Sequence, residues 1–547
     1  MIRINQINIP IFEKDQEEAV IRKAAEILRI PEDGFRKLKI VKRSIDAREK
    51  NDIRFSYTVD AKLRDTFTGP NARTEKQYID RLHNRNLQQI ESIPVSIPDA
   101  SEKAQKKRPV IVGSGPCGLF AALSMVSAGM KPVIVERGDE ASERKRQCEL
   151  LFESGRLNTR SNIQFGEGGA GLFSDGKLNT SIKGRENYIR FVLETFVEFG
   201  APEDILIDAK PHIGTDVLMD VIVAMRAFIE ENGGTYYFNT TFTGFETENG
   251  QVTKALFDGK ITELPTDTIL LCQGHSARDT YEMLKEKGVS LQKKAFAMGI
   301  RIQHPQELID RSLYGEDNLS EKEEVLGPAS YKLTHSCENG RSVFSFCMCP
   351  GGYVINSSSE EGRLCVNGMS YHDRASGVAN AALIVNITPE DFPEEDVLSG
   401  IRLQREIEEK AYSLRGGMIP YETFGEFEAS EENPLGDGDF PPAFLGLSAP
   451  APVSTVLPSF MKEAITEGVH AFGRQIKGYD REGCFIAGVE ARTSSPVRIP
   501  RDESFETSIR GLYAAGEGAG YAGGITSAAI DGIKAARALI EKFNEEK

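Results

Sequence analysis

The chain has no paired-cysteine motif, no long apolar run and no excess of positive charge. Its eight cysteines (Cys117, Cys148, Cys272, Cys337, Cys347, Cys349, Cys365 and Cys484) are scattered, and no CxxC occurs. A zinc ribbon, a thioredoxin-like redox pair and a disulfide scaffold are therefore not expected. A reducing cytoplasm fits best. No run reaches the roughly 18 apolar residues of a membrane-crossing helix, so no span is expected. The opening MIRINQINIP lacks the basic and apolar regions of a signal peptide. The formal net charge is −16, which on average repels nucleic acid and anionic membranes. Only residues 35–50 (FRKLKIVKRSIDAREK) and 103–108 (KAQKKR) are locally basic, and a solvated face is the simpler reading of each. Metal-ligand spacing and a catalytic triad are both missing.

What is present is ordinary globular material. The 547 residues are 40% apolar, enough for two to four domains at roughly 100–200 residues each. Residues 1–100 read as strand (Ile2 to Ile11), helix (Glu13 to Leu28) and two further strands (Phe35 to Ile45, Ile53 to Val59). That order predicts a small α+β module, with a ferredoxin-like arrangement as one form. A polar, proline-marked linker follows, up to Arg108. From Pro109 the texture becomes β-α-β. Residues 101–285 and 481–547 are expected to form one Rossmann-like α/β domain. Residues 286–480 are expected to be a mixed α+β domain inserted into it, holding substrate.

The strongest local signal is VIVGSGPCGLFAALSMVSAGMKPVIVERG, residues 110–138. An apolar strand runs directly into Gly113, Gly115 and Gly118. The first permits the turn into a helix that Pro116 opens. The second lets a pyrophosphate approach the backbone, and the third lets helix and strand pack closely. The helix N-terminus offers free N–H groups to phosphate. A second strand ends at Glu136, the position of an acid that holds an adenosine ribose, followed by Arg137. Cys117 reads as a small packed residue.

The fingerprint does not choose between NAD and FAD; two further segments do. Residues 510–540, RGLYAAGEGAGYAGGITSAAIDGIKAARALI, resemble the last FAD-binding motif of the glutathione-reductase-type flavoprotein superfamily. The resemblance implies that Glu517, after Gly516, meets a ribityl hydroxyl. It also implies that Gly523, Gly524 and Ile525 bring a helix N-terminus to the flavin. Independently, such an N-terminus stabilises negative charge on a reduced ring, and Ala528, Ala529, Ala535 and Ala536 suit tight packing on the first helix. Residues 162–180, NIQFGEGGAGLFSDGKLNT, hold five glycines (Gly166, Gly168, Gly169, Gly171, Gly176). That density costs backbone entropy and suggests close approach to a ligand. Ser174, Asp175, Lys177, Asn179 and Thr180 supply polar tips there. A surface loop is the alternative. With FCMCPGG (346–352), GVEARTSSPVR (488–498) and KRSIDAR (42–48), these strings resemble a bacterial and archaeal family of FAD-dependent dehydrogenases over essentially the whole chain. The resemblance also sets Gly274, at the end of TILLCQG, beneath the cofactor, and leads one to expect Glu where Gln303 stands.

A flavin carries its own redox chemistry, so the candidates for chemistry are supporting ones. Arg492 is a fork able to clamp a carboxylate, against a structural Arg–Glu pair. Cys347, beside Cys349, is a thiol near the ring, against two packed, half-buried thiols on one strand face. His372 is a proton donor, and Lys177 a charge favouring a reduced ring. Arg301 and His304 are weaker candidates. No second complete nicotinamide fingerprint is present, so NAD(P)H stays open only as a transient reductant. The expected function is hydride transfer between flavin and a small metabolite. The alternatives are an RNA-modifying flavoprotein and a non-catalytic FAD-binding interaction protein.

Overall fold

The computed structural model describes residues 1–68, 74–91, 93–179 and 184–546; Thr180 lies outside them. The chain forms two compact units. The first gathers Met1–Val95, Lys183–His212 and Glu307–Ala329, so it draws on more sequence than the N-terminal hundred residues. Its sheet has four strands in the order Phe35–Asp46, Arg54–Leu63, Ile2–Pro10, Leu87–Gln89, all neighbours antiparallel. Helices Gln16–Leu28 and Glu75–Leu82 complete a β-α-β-β-α-β order. The first is capped by Asp15, whose carboxylate accepts from the Glu18 N–H, satisfying a free helix donor. The basic run 35–50 includes the sheet-edge strand. Arg36, Lys37, Lys39 and Lys42 are exposed on it, and edge lysines discourage further strand pairing. Arg43 instead pairs with Asp208 at 2.8 Å.

The second unit gathers Ser96–Ile182, Ile213–Gln306 and Ser330–Lys547. Its centre is a five-stranded parallel sheet in the order Leu512–Ala514, Ile269–Leu271, Val110–Val112, Val133–Val135, Thr235–Tyr237. Four of these five strands are buried along their whole length, which is why they read as short unbroken apolar runs and not as alternating ones. The C-terminal strand thus lies next to Ile269–Leu271, far from it in sequence. Helices Pro116–Ser127 and Ile525–Glu545 pack almost backbone to backbone. A Cβ on Gly532 would sit 2.1 Å from the Cys117 carbonyl oxygen, so only glycine permits the approach.

The unit's other large sheet has seven strands: Thr334–Ser336, Ser342–Cys349, Val378–Ile387, Phe296–Pro305, Phe485–Glu490, Ile419–Thr423 and Ser448–Pro450. All neighbours are antiparallel except the last pair. The strand Phe485–Glu490 belongs to this sheet although it follows residue 480. Among the described residues, no helix is long and apolar enough to cross a membrane.

Candidate dinucleotide-binding cavity

A cavity in the second unit opens at the C-terminal ends of the parallel strands, where ligands of open α/β sheets bind. Gly113, Gly115, Pro116, Glu136, Arg137, Gly169, Gly171, Ser174, Asp175, Lys177, Gly274, Glu517, Gly523, Gly524 and Ile525 all line it. Of the residues singled out from sequence, Gly118, Gly168, Gly176, Gly516 and His372 do not line it. Four of these are packing glycines. A Cβ on Gly118 would meet the Gly113 carbonyl oxygen at 2.0 Å, and one on Gly168 would meet Ile222 at 2.7 Å. Gly176 packs on Gly214, and Gly516 on Cys117.

Two helix N-termini reach the cavity. Pro116–Ser127 starts at Gly115, and Ile525–Glu545 at Gly524, and no side chain caps either. Their first N–H groups and the positive ends of their dipoles are thus left to a ligand. Opposite the first lies Gly169 (φ +61°). Glu136 organises this end. Its carboxylate accepts from the N–H groups of Ser114 (2.8 Å), Gly138 (3.0 Å) and Gly166 (2.9 Å), tying three loops together. Arg137 donates to Asp279 at 2.9 Å and lies 4.4 Å from the Phe165 ring centre.

The strand end at Cys272 adds two residues that the sequence reading passed over. Gln273, 7% exposed, has no hydrogen-bond partner for either side-chain polar atom, a costly state unless a ligand supplies partners. His275, 4% exposed, has Nδ1 3.3 Å from a Glu517 carboxylate oxygen. Neither ring nitrogen of His275 has a hydrogen-bond partner. Burial raises the Glu517 carboxyl, but the neighbouring His275 and Lys294 outweigh it and hold the group below the usual range. The only hint in the sequence was their place directly before and after Gly274.

The far wall comes from the seven-stranded sheet and its loops: Phe346, Cys347, Asn367, Glu490, Arg492 and Thr493. Cys347 is the exception to the expected pair of packed thiols on one face. The register slips between Phe346 and Cys349, and Cys347 sits at φ +40°. The strand's alternation fails there; Cys349 is buried and Cys347 opens into the cavity. The protein around the cavity still desolvates the Cys347 thiol, which is pushed up to about 12. Arg301, fully buried, donates to Glu490 (2.7 Å), the Cys347 carbonyl (3.0 Å) and Asn380 (2.8 Å). Lys177 lies 3.4 Å from Asp175.

Two expected chemical roles are corrected. Arg492 touches the cavity, but its fork is spent on Glu408 (2.9 and 2.8 Å) and on Ser359. Glu408 also holds Arg278. Burial would raise the Glu408 carboxyl, but the two arginines hold it far below the usual range. Arg492 is therefore half of a buried ion pair and not a free clamp. His372 directs Nδ1 to the Ile213 carbonyl at 2.8 Å, away from the cavity. His304 is also set aside. It is fully buried against Tyr479, and burial lowers it to about 4.

Residues 295–493 match the family model described as "FAD-dependent protein, C-terminal domain-like", and residues 1–62 match a domain of unknown function. An uncharacterized protein of Clostridium beijerinckii is 42% identical over 552 residues, covering all of both chains. Weak similarity to solved structures includes the flavin-dependent brominase Bmp2, with TM-score 0.37 and 13% identity over 81% of this chain and 80% of that one. Another is the glycerol-3-phosphate dehydrogenase of Bacillus halodurans complexed with FAD, with TM-score 0.35 and 12% identity over 82% and 67%. The parallel sheet and the cavity at its strand ends make this an α/β domain of the dinucleotide-binding kind, and the matched family model is one of FAD-dependent proteins. The chain belongs to the family of the Clostridium protein.

The cavity's donors fit FAD. The uncapped first turn that Pro116 opens suits a pyrophosphate through the N–H groups of Cys117 and Gly118, Pro116 itself having none, and the orphaned Gln273 and His275 offer hydrogen bonds. A Cβ at Gly523 would meet nothing within 4 Å, so that edge is open for an approaching ring.

Proposed function

We propose that this protein is an FAD-dependent oxidoreductase that moves a hydride between flavin and a small metabolite. Residues 1–100 would form a ferredoxin-like module, residues 101–285 and 481–547 an interrupted Rossmann domain, and the protein would work in the cytoplasm. The observation that carries the reading is the convergence of two uncapped helix N-termini on a cavity lined by Gln273 and His275, whose side chains lack hydrogen-bond partners. When bound, FAD would supply the two-electron chemistry. Gly113, Gly115 and Gly169 would admit its pyrophosphate, and Glu136 would hold the loops that meet the adenosine end. Glu517 would accept a hydrogen bond from the ribityl chain. The N-terminus at Ile525 would favour negative charge at the ring edge, with Lys177 as a second positive group. The wall at Cys347, Asn367 and Thr493 would face substrate.

The test is an anaerobic spectrum of the purified protein before and after NADH or NADPH. Flavin bands that bleach make it a nicotinamide-fed oxidoreductase. Bands that persist direct the search to a reducing substrate. Folded protein that neither retains nor rebinds FAD overturns the proposal.

A further inference from the structure

His335, Cys337 and Glu467 bring a ring nitrogen, a thiol sulfur and a carboxylate oxygen within 4.8 Å of one another. The local structure explains why. His335 and Cys337 stand two residues apart at the end of strand Thr334–Ser336, and that spacing places side chains on one face. Helix Ser459–Gly473 packs against that strand. The Cys337 thiol donates to the Ala464 carbonyl at 3.6 Å, and Glu467 lies three residues further along the same helix face. The Glu467 carboxylate is 2.7 Å from His335 Nε2 and also accepts from the Glu338 N–H. Cys337 is buried, while the His335 and Glu467 side chains are 24% and 35% exposed, so an ion could enter from solvent. The sequence shows no metal spacing because the third group lies 130 residues beyond Cys337.

We propose that these three residues bind a borderline divalent cation of the zinc type, with water as a fourth ligand. Imidazole, thiolate and carboxylate form a mixed N, S, O set that zinc accepts in tetrahedral geometry. Tetrahedral zinc holds its ligand atoms roughly 3–4 Å apart, given bonds of about 2.0–2.3 Å. Binding therefore opens the His335–Glu467 contact slightly and draws the sulfur inward. The cation replaces the thiol proton, which is released to solvent; no oxidant or reductant is needed. Because the cation displaces that proton, binding strengthens as pH rises. The site is separate from the dinucleotide cavity, whose lining contains none of the three.

The test uses the full-length, flavin-loaded protein, freed of metal by a chelator. Zn2+ is titrated against a chromophoric chelator, and Co2+ is followed by its d–d bands to the red of the flavin absorption. The expected result is one tight equivalent, with Co2+ bands of tetrahedral intensity. Cys337→Ser and His335→Asn should each weaken binding by at least about 100-fold, beyond the usual loss on removing an outer-shell partner. Both variants should keep the wild-type flavin content. Glu467→Gln, which keeps the shape, should weaken Zn2+ binding in the same direction. No stoichiometric binding overturns the proposal, and so does binding that is unchanged in Cys337→Ser. Either result leaves a plain His–Glu ion pair beside a capped thiol.

Discussion

Gly115 and Gly169 face each other so closely that a Cβ on Gly169 would sit 2.9 Å from the Gly115 Cα. The dinucleotide loop and the second glycine-rich loop thus meet with no side chain between them, and Gly169 also holds a left-handed φ of +61°. Gly169→Val should strain the backbone by about 1–3 kcal/mol and narrow the pyrophosphate entrance. Flavin retained per protein, read from the visible spectrum, should fall at least about tenfold, the equivalent of roughly 1.4 kcal/mol.

Gly523 separates cofactor binding from folding. A Cβ there would meet no protein atom within 4 Å, and the residue lines the cavity edge. Gly523→Leu should leave the unfolding midpoint of the apoprotein within about 0.5 kcal/mol of wild type, as for other surface changes. Its affinity for added FAD should drop at least about tenfold, the effect of losing roughly 1.4 kcal/mol. Unchanged FAD titration would place the ring elsewhere.

Arg492 is a structural ion-pair residue. Arg492→Ala leaves Glu408 buried with Arg278 as a remaining partner, and breaking a buried pair typically costs about 3–5 kcal/mol. The second arginine should bring the loss to the lower end of that range, visible in urea unfolding. A free substrate clamp would instead raise KM with stability intact.

Glu422 should give stability a pH dependence. The residue is fully buried, and burial pushes its carboxyl up to about 8 although the Ser454 N–H, at 2.6 Å, opposes the shift. A carboxyl raised in the folded state stabilises below its unfolded value, and that contribution is lost as pH rises through the folded one. Wild-type stability should therefore fall between about pH 4.5 and about 8. Glu422→Gln should flatten that part of the profile, measured by urea midpoints at several pH values.

Cys347 should be the thiol that reagents reach. The other seven cysteines are buried, and its own thiol needs alkaline conditions to ionise. Alkylation of the apoprotein should stop at about one equivalent, quicken with pH and vanish in Cys347→Ser. Bound FAD should slow it. A second fast thiol would contradict this arrangement.

Local sequence determined the parts of this protein whose causes are local. The run from Val110 to Gly118 specified strand, turn and helix because each residue's conformational demand acts on its immediate neighbours. The same holds for Gly523 to Ile525 at the last helix. Tertiary structure decided what depends on distant partners. Arg492 read equally as a carboxylate clamp or as half of an Arg–Glu pair until folding brought Glu408, 84 residues away, to its fork. Cys347 and Cys349 looked alike until pairing with Val378–Ile387 slipped register between Phe346 and Cys349. Gln273 and His275 lie inside the string TILLCQGHSAR, from which only Gly274 stood out, and their orphaned polar atoms became visible only once the surrounding walls were in place. Backbone conformation is written within a few residues. Hydrogen-bond satisfaction and charge pairing are settled by whatever the fold carries into contact.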